Sequence, residues 1–165
     1  MRNIISLLLL QAAFSSIFLP SAHGANTIIQ PTCKKTPFYD LCVSVLQTDS
    51  RSATADVQGL AVVAADKLAG KSTATLKQIT SLAKKDPRYK ACLESYNIVV
   101  KYDMQEILQA VSGDPKFAEQ GASDVANEAD TCGKSIQSFK SVVADSNKFV
   151  HDFSLVVVAI VRLLL

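Results

Sequence analysis

The stretch from Ala118 to Val143 reads AEQGASDVANEADTCGKSIQSFKSVV and decides the fold class of this 165-residue chain. Small or apolar residues recur in it at alternating steps of four and three, which is the spacing of the a/d seam of a helix packed in a bundle. The polar residues between them fall on another face, as expected for a solvated side. The seam residues are Ala118, Ala122, Val125, Ala129, Cys132, Ile136, Phe139 and Val143.

Three other segments show helical periodicity. The first runs from about Thr54 to Asp86-Pro87. There the aspartate is predicted to be the N-cap of the next helix, and the proline to be its first residue. The second continues to about Ser112, and the last has an apolar tail that predicts burial on most sides. We therefore predict an all-α fold, with an up-down-up-down four-helix bundle over residues 54–165. The expected core positions are Ala61, Ala65, Leu68, Ser72, Leu76, Ile79 and Ala83, then Cys92, Val99, Tyr102, Ile107, Leu108 and Val111, and finally Val150, Phe153, Val157, Ile160 and Leu164.

The N-terminal segment has the layout of a secretory signal peptide. Arg2 precedes an apolar run, and Ala22 and Gly24 stand at the −3 and −1 positions if cleavage follows Gly24. A buried or membrane helix is the alternative, but the apolar run is interrupted and lacks a stop-transfer flank. We expect residues 1–24 to be the signal peptide, residues 25–165 to form one domain, and the mature protein to have no membrane association.

Four cysteines follow this segment: Cys33, Cys42, Cys92 and Cys132. In an oxidising compartment they predict two disulfides, for which three connectivities exist. A local clip between Cys33 and Cys42 is the simplest choice, and it leaves Cys92 to join Cys132 across two bundle helices. The first clip would fold residues 25–53 into a helical hairpin, with a short amphipathic helix at its second arm.

Catalytic and metal sites find little support. His151 is the one imidazole after the signal segment, and adjacent Asp152 is expected to point elsewhere on a helix. A serine–histidine–aspartate set assembled by the fold stays open, but nothing marks a nucleophile elbow. Knuckle-spaced cysteines and a glycine-rich phosphate loop are both missing from the sequence. The net charge of +2 shows no basic stripe for nucleic acid. We expect a binding protein without enzyme activity, metal or cofactor.

The connector between the second and third segments, SGDPKFAEQG, spans residues 112–121. Gly113 is predicted to end one helix in a left-handed conformation, while Asp114 caps the next and Pro115 opens it. Phe117 falls off the seam, next to Ala118. It is expected either to anchor a partner from an exposed corner or to fold back over the end of the bundle.

The chain resembles the plant invertase and pectin methylesterase inhibitors over essentially its whole mature length. The resemblance rests on CKKTPFYDLCVSVLQTDSRSATADVQGLA after Thr32, on the later pair Cys92 and Cys132, and on the tail AIVRLLL. These features are shared by both branches of the family. They imply a disulfide-bonded helical inhibitor.

The motif GDPKF resembles the branch that inhibits β-fructosidases (acid invertases) of the cell wall and vacuole. This implies that Asp114, Pro115, Lys116 and Phe117 bind the target, with Pro-Lys-Phe entering the substrate cleft. Gln120 stands where that branch often has an acid. The resemblance implies a monomer in a 1:1 complex with acid invertase, in the apoplast or vacuole.

Two alternatives stay open. One is inhibition of pectin methylesterase, which the resemblance places on the side faces of the bundle. The other is a structural or carrier protein of the cell wall, although narrow alanine-rich seams leave little room for a lipid cavity.

Overall fold

The computed structural model describes residues 28–165, and the predicted signal peptide lies outside the described residues. The order of elements begins with α1 (Ile29–Cys33), α2 (Tyr39–Leu46) and a 3₁₀ turn (Ser50–Ala53), followed by α3 (Val57–Ala83) and a second 3₁₀ turn (Pro87–Tyr89). The chain continues through α4 (Lys90–Ile98), a π-helical turn (Val99–Asp103), α5 (Met104–Ala110), α6 (Pro115–Ile136) and α7 (Ala144–Arg162).

The long helices form the predicted up-down-up-down four-helix bundle. Its members are α3, the continuous rod from α4 through α5, α6 and α7. The most extensive packing is between α6 and α7, while the rod packs against α6 and α3 against α7. Fully buried side chains such as Leu68, Val125 and Phe153 fill the space between these helices. Burial of this apolar surface is the dominant stabilising term.

The N-terminal hairpin consists of α1 and α2, and it packs on α3 and α7. The Cys33–Cys42 disulfide closes it. A second disulfide, Cys92–Cys132, joins α4 to α6. These are the two pairs that the spacing favours.

Aspartate side chains start the helices where the sequence predicts. Asp86 accepts a hydrogen bond from the amide of Arg88 at 3.0 Å, directly before Pro87. Asp56 accepts from the amide of Gly59 at 2.8 Å and so fixes the start of α3. Each bond satisfies an amide that has no partner inside the helix.

The π-helical turn shifts the faces of the second bundle helix. The prediction that Tyr102 and Leu108 face the core is wrong, because 68% and 37% of their surfaces are exposed. A π turn holds one residue more than an α turn, so the periodicity slips at this point. Asp103 and Met104 are turned inward instead.

The third seam also ends earlier than predicted. Helix α6 stops at Ile136, and Phe139 and Val143 lie in the turn before α7. Phe139 packs edge-on against Tyr89, with ring centroids 5.4 Å apart, and Val143 is fully buried. A turn that folds over the end of the bundle buries apolar residues too, so the pattern continues although the helix does not.

Helix α7 is buried on most sides, as its apolar tail predicts. Val156, Val157, Ile160 and Val161 are all fully buried. Asn147 adds hydrogen bonds to two neighbouring helices, which the seam pattern does not predict. Its side chain accepts from the hydroxyl of Tyr96 at 3.0 Å and donates to the carbonyl of Ala129 at 2.8 Å. Among the described helices, none is long and apolar enough to cross a membrane.

Candidate functional site

The connector between α5 and α6 forms a rigid corner, which we define as residues 112–117. The amide of Asp114 donates to the carbonyl of Ala110 at 2.7 Å, closing the turn after α5. The Asp114 carboxylate then accepts from the amide of Phe117 at 3.1 Å, and Pro115 is the first residue of α6. The predicted cap and first position are therefore confirmed.

Gly113 departs from its predicted conformation. No described glycine has a positive φ angle. The amide of Gly113 donates to the same Ala110 carbonyl as Asp114, at 3.0 Å. Because residues with negative φ angles close the turn through that carbonyl, a left-handed residue is not required.

A hydrogen bond to α3 holds the corner, and α6 approaches α5 closely just beyond it. The side-chain amide of Gln58, at the start of α3, donates to the carbonyl of Ser112 at 2.7 Å. One turn further along α6, a Cβ atom added to Gly121 would lie 2.9 Å from Ile107 and 3.2 Å from the carbonyl of Asp103. Glycine at this position thus allows α5 and α6 to approach closely.

Phe117 projects from this corner. Half of its surface, 50%, is exposed, while the next residue, Ala118, is fully buried on the seam. Lys116 is more open still, with 76% of its side chain exposed. The structure thus favours an exposed corner over a phenylalanine that folds back across the bundle.

An ion-pair cluster lies against the corner, formed by Lys116, Glu119 and Arg162. The ammonium of Lys116 donates to one oxygen of Glu119 at 2.7 Å, and the guanidinium of Arg162 donates to the other at 2.6 Å. Only 9% of the Glu119 side chain is exposed. One buried carboxylate therefore ties the first turn of α6 to the end of α7.

The two cations change the acidity of Glu119. Hydrogen bonds from Lys116, first, and from Arg162 hold the pKa of the Glu119 carboxyl below its ordinary value, against the opposing effect of desolvation. The carboxylate is thereby kept ionised, and the cluster carries one net positive charge.

The sequence prediction did not assign Glu119 or Arg162 to the site. Lys116 and Glu119 are three residues apart, and this spacing on a helix predicts an ion pair between them. The contact with Arg162 has no comparable local signal.

A small cavity of about 260 Å³ lies beside the corner. Gly113 and Pro115 form one wall, Gln58 another, and Leu164 reaches in from beyond α7. We call it the corner notch. It brings the C-terminal end of the chain next to the predicted target-binding residues.

His151 does not form a catalytic arrangement. Contrary to the prediction, its Nδ1 lies 2.9 Å from Asp152 Oδ1, because the two side chains bend toward each other from adjacent positions. Asp152 also accepts from Lys148, and Ser154 donates to the His151 backbone rather than to its ring. Within residues 28–165, no group of three or more His, Cys, Asp or Glu side chains could hold a metal ion.

Known proteins share the family and the fold of this chain. The family model for plant invertase/pectin methylesterase inhibitors matches residues 27–160. The cell wall/vacuolar inhibitor of fructosidase 1 of Arabidopsis thaliana is 43% identical over 112 residues, which are 65% of this chain and 55% of that protein. Inhibitor 2 of the same name is 41% identical over 87 residues, 46% of this chain and 48% of that protein. The matches thus span about half the length of these two relatives.

Other relatives carry the second activity in their names. A pectinesterase inhibitor of Actinidia deliciosa is 32% identical over 124 residues, 72% of this chain and 67% of that protein. The crystal structure of a mutant form of a pectin methylesterase inhibitor from Arabidopsis superposes with a TM-score of 0.69 at 26% identity, covering 79% of this chain and 92% of that one. With the family model matching most of the sequence, the chain belongs to the plant invertase/pectin methylesterase inhibitors, a family of enzyme inhibitors and not of enzymes.

Proposed function

We propose that this protein inhibits an acid invertase by placing Pro115, Lys116 and Phe117 in the sucrose-binding cleft. The observation that carries this proposal is the exposure of Phe117 on a corner whose backbone is fixed by the Asp114 cap. An aromatic residue whose backbone is already ordered loses less conformational entropy on docking. Two relatives that are named as inhibitors of fructosidase support the choice of target.

The chemistry of the target suits such a corner. A retaining glycosidase sets two carboxyl groups about 5 Å apart around a sugar-sized cleft. Phe117 would occupy the space of a sugar ring through apolar contact. In the ion-pair cluster Lys116 and Arg162 outweigh the single charge of Glu119, and the exposed ammonium of Lys116 offers a positive charge to an acidic cleft.

Inhibition on this account is competitive, and no bond is broken. The inhibitor acts as a monomer in a 1:1 complex, with residues 1–24 removed as a signal peptide and residues 25–165 forming the inhibitor domain. The proposed locations are the apoplast or the vacuole. Relatives named as cell wall/vacuolar inhibitors support this assignment.

Inhibition of pectin methylesterase is the second candidate. It is supported by the pectinesterase inhibitor of Actinidia deliciosa, which matches a larger share of this chain than either fructosidase inhibitor does. The two candidates differ in the surface they require, because only the invertase proposal depends on Phe117.

Parallel inhibition assays test the proposal. The purified mature protein, residues 25–165, is titrated against an acid invertase with sucrose and against a pectin methylesterase with methylated pectin. We expect a rise in the apparent KM for sucrose with kcat unchanged, and no effect on demethylation. Inhibition of demethylation alone would overturn the invertase proposal.

A further inference from the structure

A groove separates the turn of the N-terminal hairpin from α7. It has a volume of about 560 Å³ and is open to solvent along one side. Its α7 wall is apolar and includes Leu155, Val158 and Ala159. The opposite wall is the hairpin turn, residues 34–37. We call it the hairpin groove.

Positively charged side chains lie on two sides of the groove. Lys34 and Lys35 are exposed on the hairpin wall, and Arg162 borders the groove at the end of α7. Within the part of the chain that the structure describes, neither lysine forms an ion pair, whereas Arg162 shares Glu119 with Lys116. An apolar surface edged by three cations is suited to a segment that combines carboxylates with apolar side chains.

The hairpin groove is continuous with the target-binding corner. Arg162 borders the groove and contacts Glu119, which in turn contacts Lys116 of the corner. Leu163 lines the groove, while the next residue, Leu164, lines the corner notch. A partner that contacts both Phe117 and the groove therefore has to pass over the end of α7.

We propose that the hairpin groove binds an acidic surface segment of the same enzyme whose cleft takes Phe117. This inference rests on the proposed function and extends it to a second contact. A stable complex buries about 800 Å² on each partner, which is more than a three-residue corner provides. The groove lies on the same end of the molecule and adds both apolar area and charge.

Lys34 and Lys35 supply the charge complementarity of this contact. Because both ammonium groups are solvated, they attract acidic residues over a distance and raise the rate of association. Their effect is screened by salt, since the Debye length falls from about 10 Å at 0.1 M to about 3 Å at 1 M. Arg162 keeps its bond to Glu119 and adds to the field from the other side of the groove.

A matched pair of charge reversals tests the groove. The double variant Lys34→Glu/Lys35→Glu alters the groove, and Lys84→Glu/Lys85→Glu makes the same change in net charge at exposed lysines after α3. The second pair follows the end of α3 opposite to the corner, about 40 Å away for a helix of 27 residues. Association and dissociation with acid invertase are measured at low and high salt, and thermal midpoints confirm folding.

We expect the groove variant to lose at least about tenfold in affinity at low salt, mostly through slower association, and to recover part of it at high salt. The Lys84/Lys85 control should change by less than about threefold. Lys34→Ala/Lys35→Ala should fall between wild type and the groove variant. If the two charge reversals have equal effects while the wild-type protein inhibits invertase, the groove proposal is wrong and the proposed contact at the corner is unaffected. If the wild-type protein does not inhibit invertase, the proposed function fails first.

Discussion

The guanidinium of Arg162, at the end of α7, donates to the carboxylate of Glu119, the fifth residue of α6, across 2.6 Å and 43 positions of sequence. The same carboxylate accepts from Lys116 at 2.7 Å. Lys116, beside Phe117, is thus linked through Glu119 to a side chain at the end of α7. This relationship makes the corner a tertiary structure and not an isolated turn.

Replacing Glu119 with glutamine should weaken inhibition without unfolding the bundle. The change leaves Lys116 and Arg162 facing each other without the intervening negative charge, so the orientation of the corner is lost. We expect a few-fold loss of invertase affinity and only a small decrease of the thermal midpoint, because both cations are largely exposed. Glu94→Gln, at an exposed position on α4, is the control and should have no effect. Equal affinities of the two variants would show that the ion pairs do not orient the corner.

The acidity of Glu119 also predicts a pH dependence. Because the pKa of Glu119 is lowered in the folded protein, its ionised carboxylate stabilises the folded state above the ordinary pKa of 4.5. This stabilisation is lost as the pH falls through the lowered folded pKa. Wild-type inhibition relative to Glu119→Gln should therefore keep its advantage down to about pH 5. An advantage that disappears already between about pH 7 and about pH 5 would contradict this assignment.

The raised pKa of Asp103 predicts that this carboxylate affects the stability of the bundle in the opposite direction to Glu119. Burial, together with the carboxylates of Asp124, Glu128 and Glu106, raises its pKa from 3.8 to about 6. One of its oxygens has no hydrogen-bond partner among the described residues. A raised folded pKa means that the unfavourable charge is absent below pH 3.8 and reaches its full cost as the pH rises through about 6.

Asp103→Asn should therefore stabilise the protein at neutral pH, by about 1–3 kcal/mol. The gain should shrink as the pH is lowered toward about 4. Thermal midpoints of wild type and variant across this range measure the effect, with the exposed Glu94→Gln as the control. A variant that is less stable than wild type at neutral pH would show that the Asp103 carboxylate has a partner it needs.

Alanine substitutions at two helical glycines should change the stability of the protein in opposite directions. Gly70 is exposed in α3, and a Cβ atom there meets nothing within 4 Å, so Gly70→Ala should stabilise by about 0.5–1 kcal/mol through helix propensity. Gly121→Ala brings Cβ to 2.9 Å from Ile107 and should destabilise by about 1–3 kcal/mol. Denaturant midpoints measure both changes. Stabilisation by Gly121→Ala would mean that α5 and α6 pack less closely than described.

Features set by neighbouring residues were predictable from the sequence. The Asp114 cap and the position of Pro115 depend on contacts within four residues, and the structure has both. The bundle follows from seams whose residues are buried, such as Val125 and Ile160. The position of Phe117 beside the seam residue Ala118 left both an exposed corner and a folded-back ring open, and the structure has the exposed one.

Features that depend on distant residues were not predictable. The π turn that exposes Tyr102 has no periodic signal of its own, because an inserted residue shifts a face without interrupting the helix. The end of α6 at Ile136 was hidden since Phe139 and Val143 remain apolar in the turn. The bond from Arg162 to Glu119 exists only once α7 packs beside α6.

Phe117→Ala tests the central claim most directly, through its inhibition constant for acid invertase measured beside its thermal midpoint. Tyr102→Ala serves as an exposed aromatic control away from the corner, and Ile136→Ala as a buried control that should cost about 2–5 kcal/mol in stability. We predict that Phe117→Ala loses about 2–4 kcal/mol of binding free energy with an unchanged midpoint, as for a central aromatic anchor. Full inhibition by Phe117→Ala would contradict the account and move the contact away from the corner.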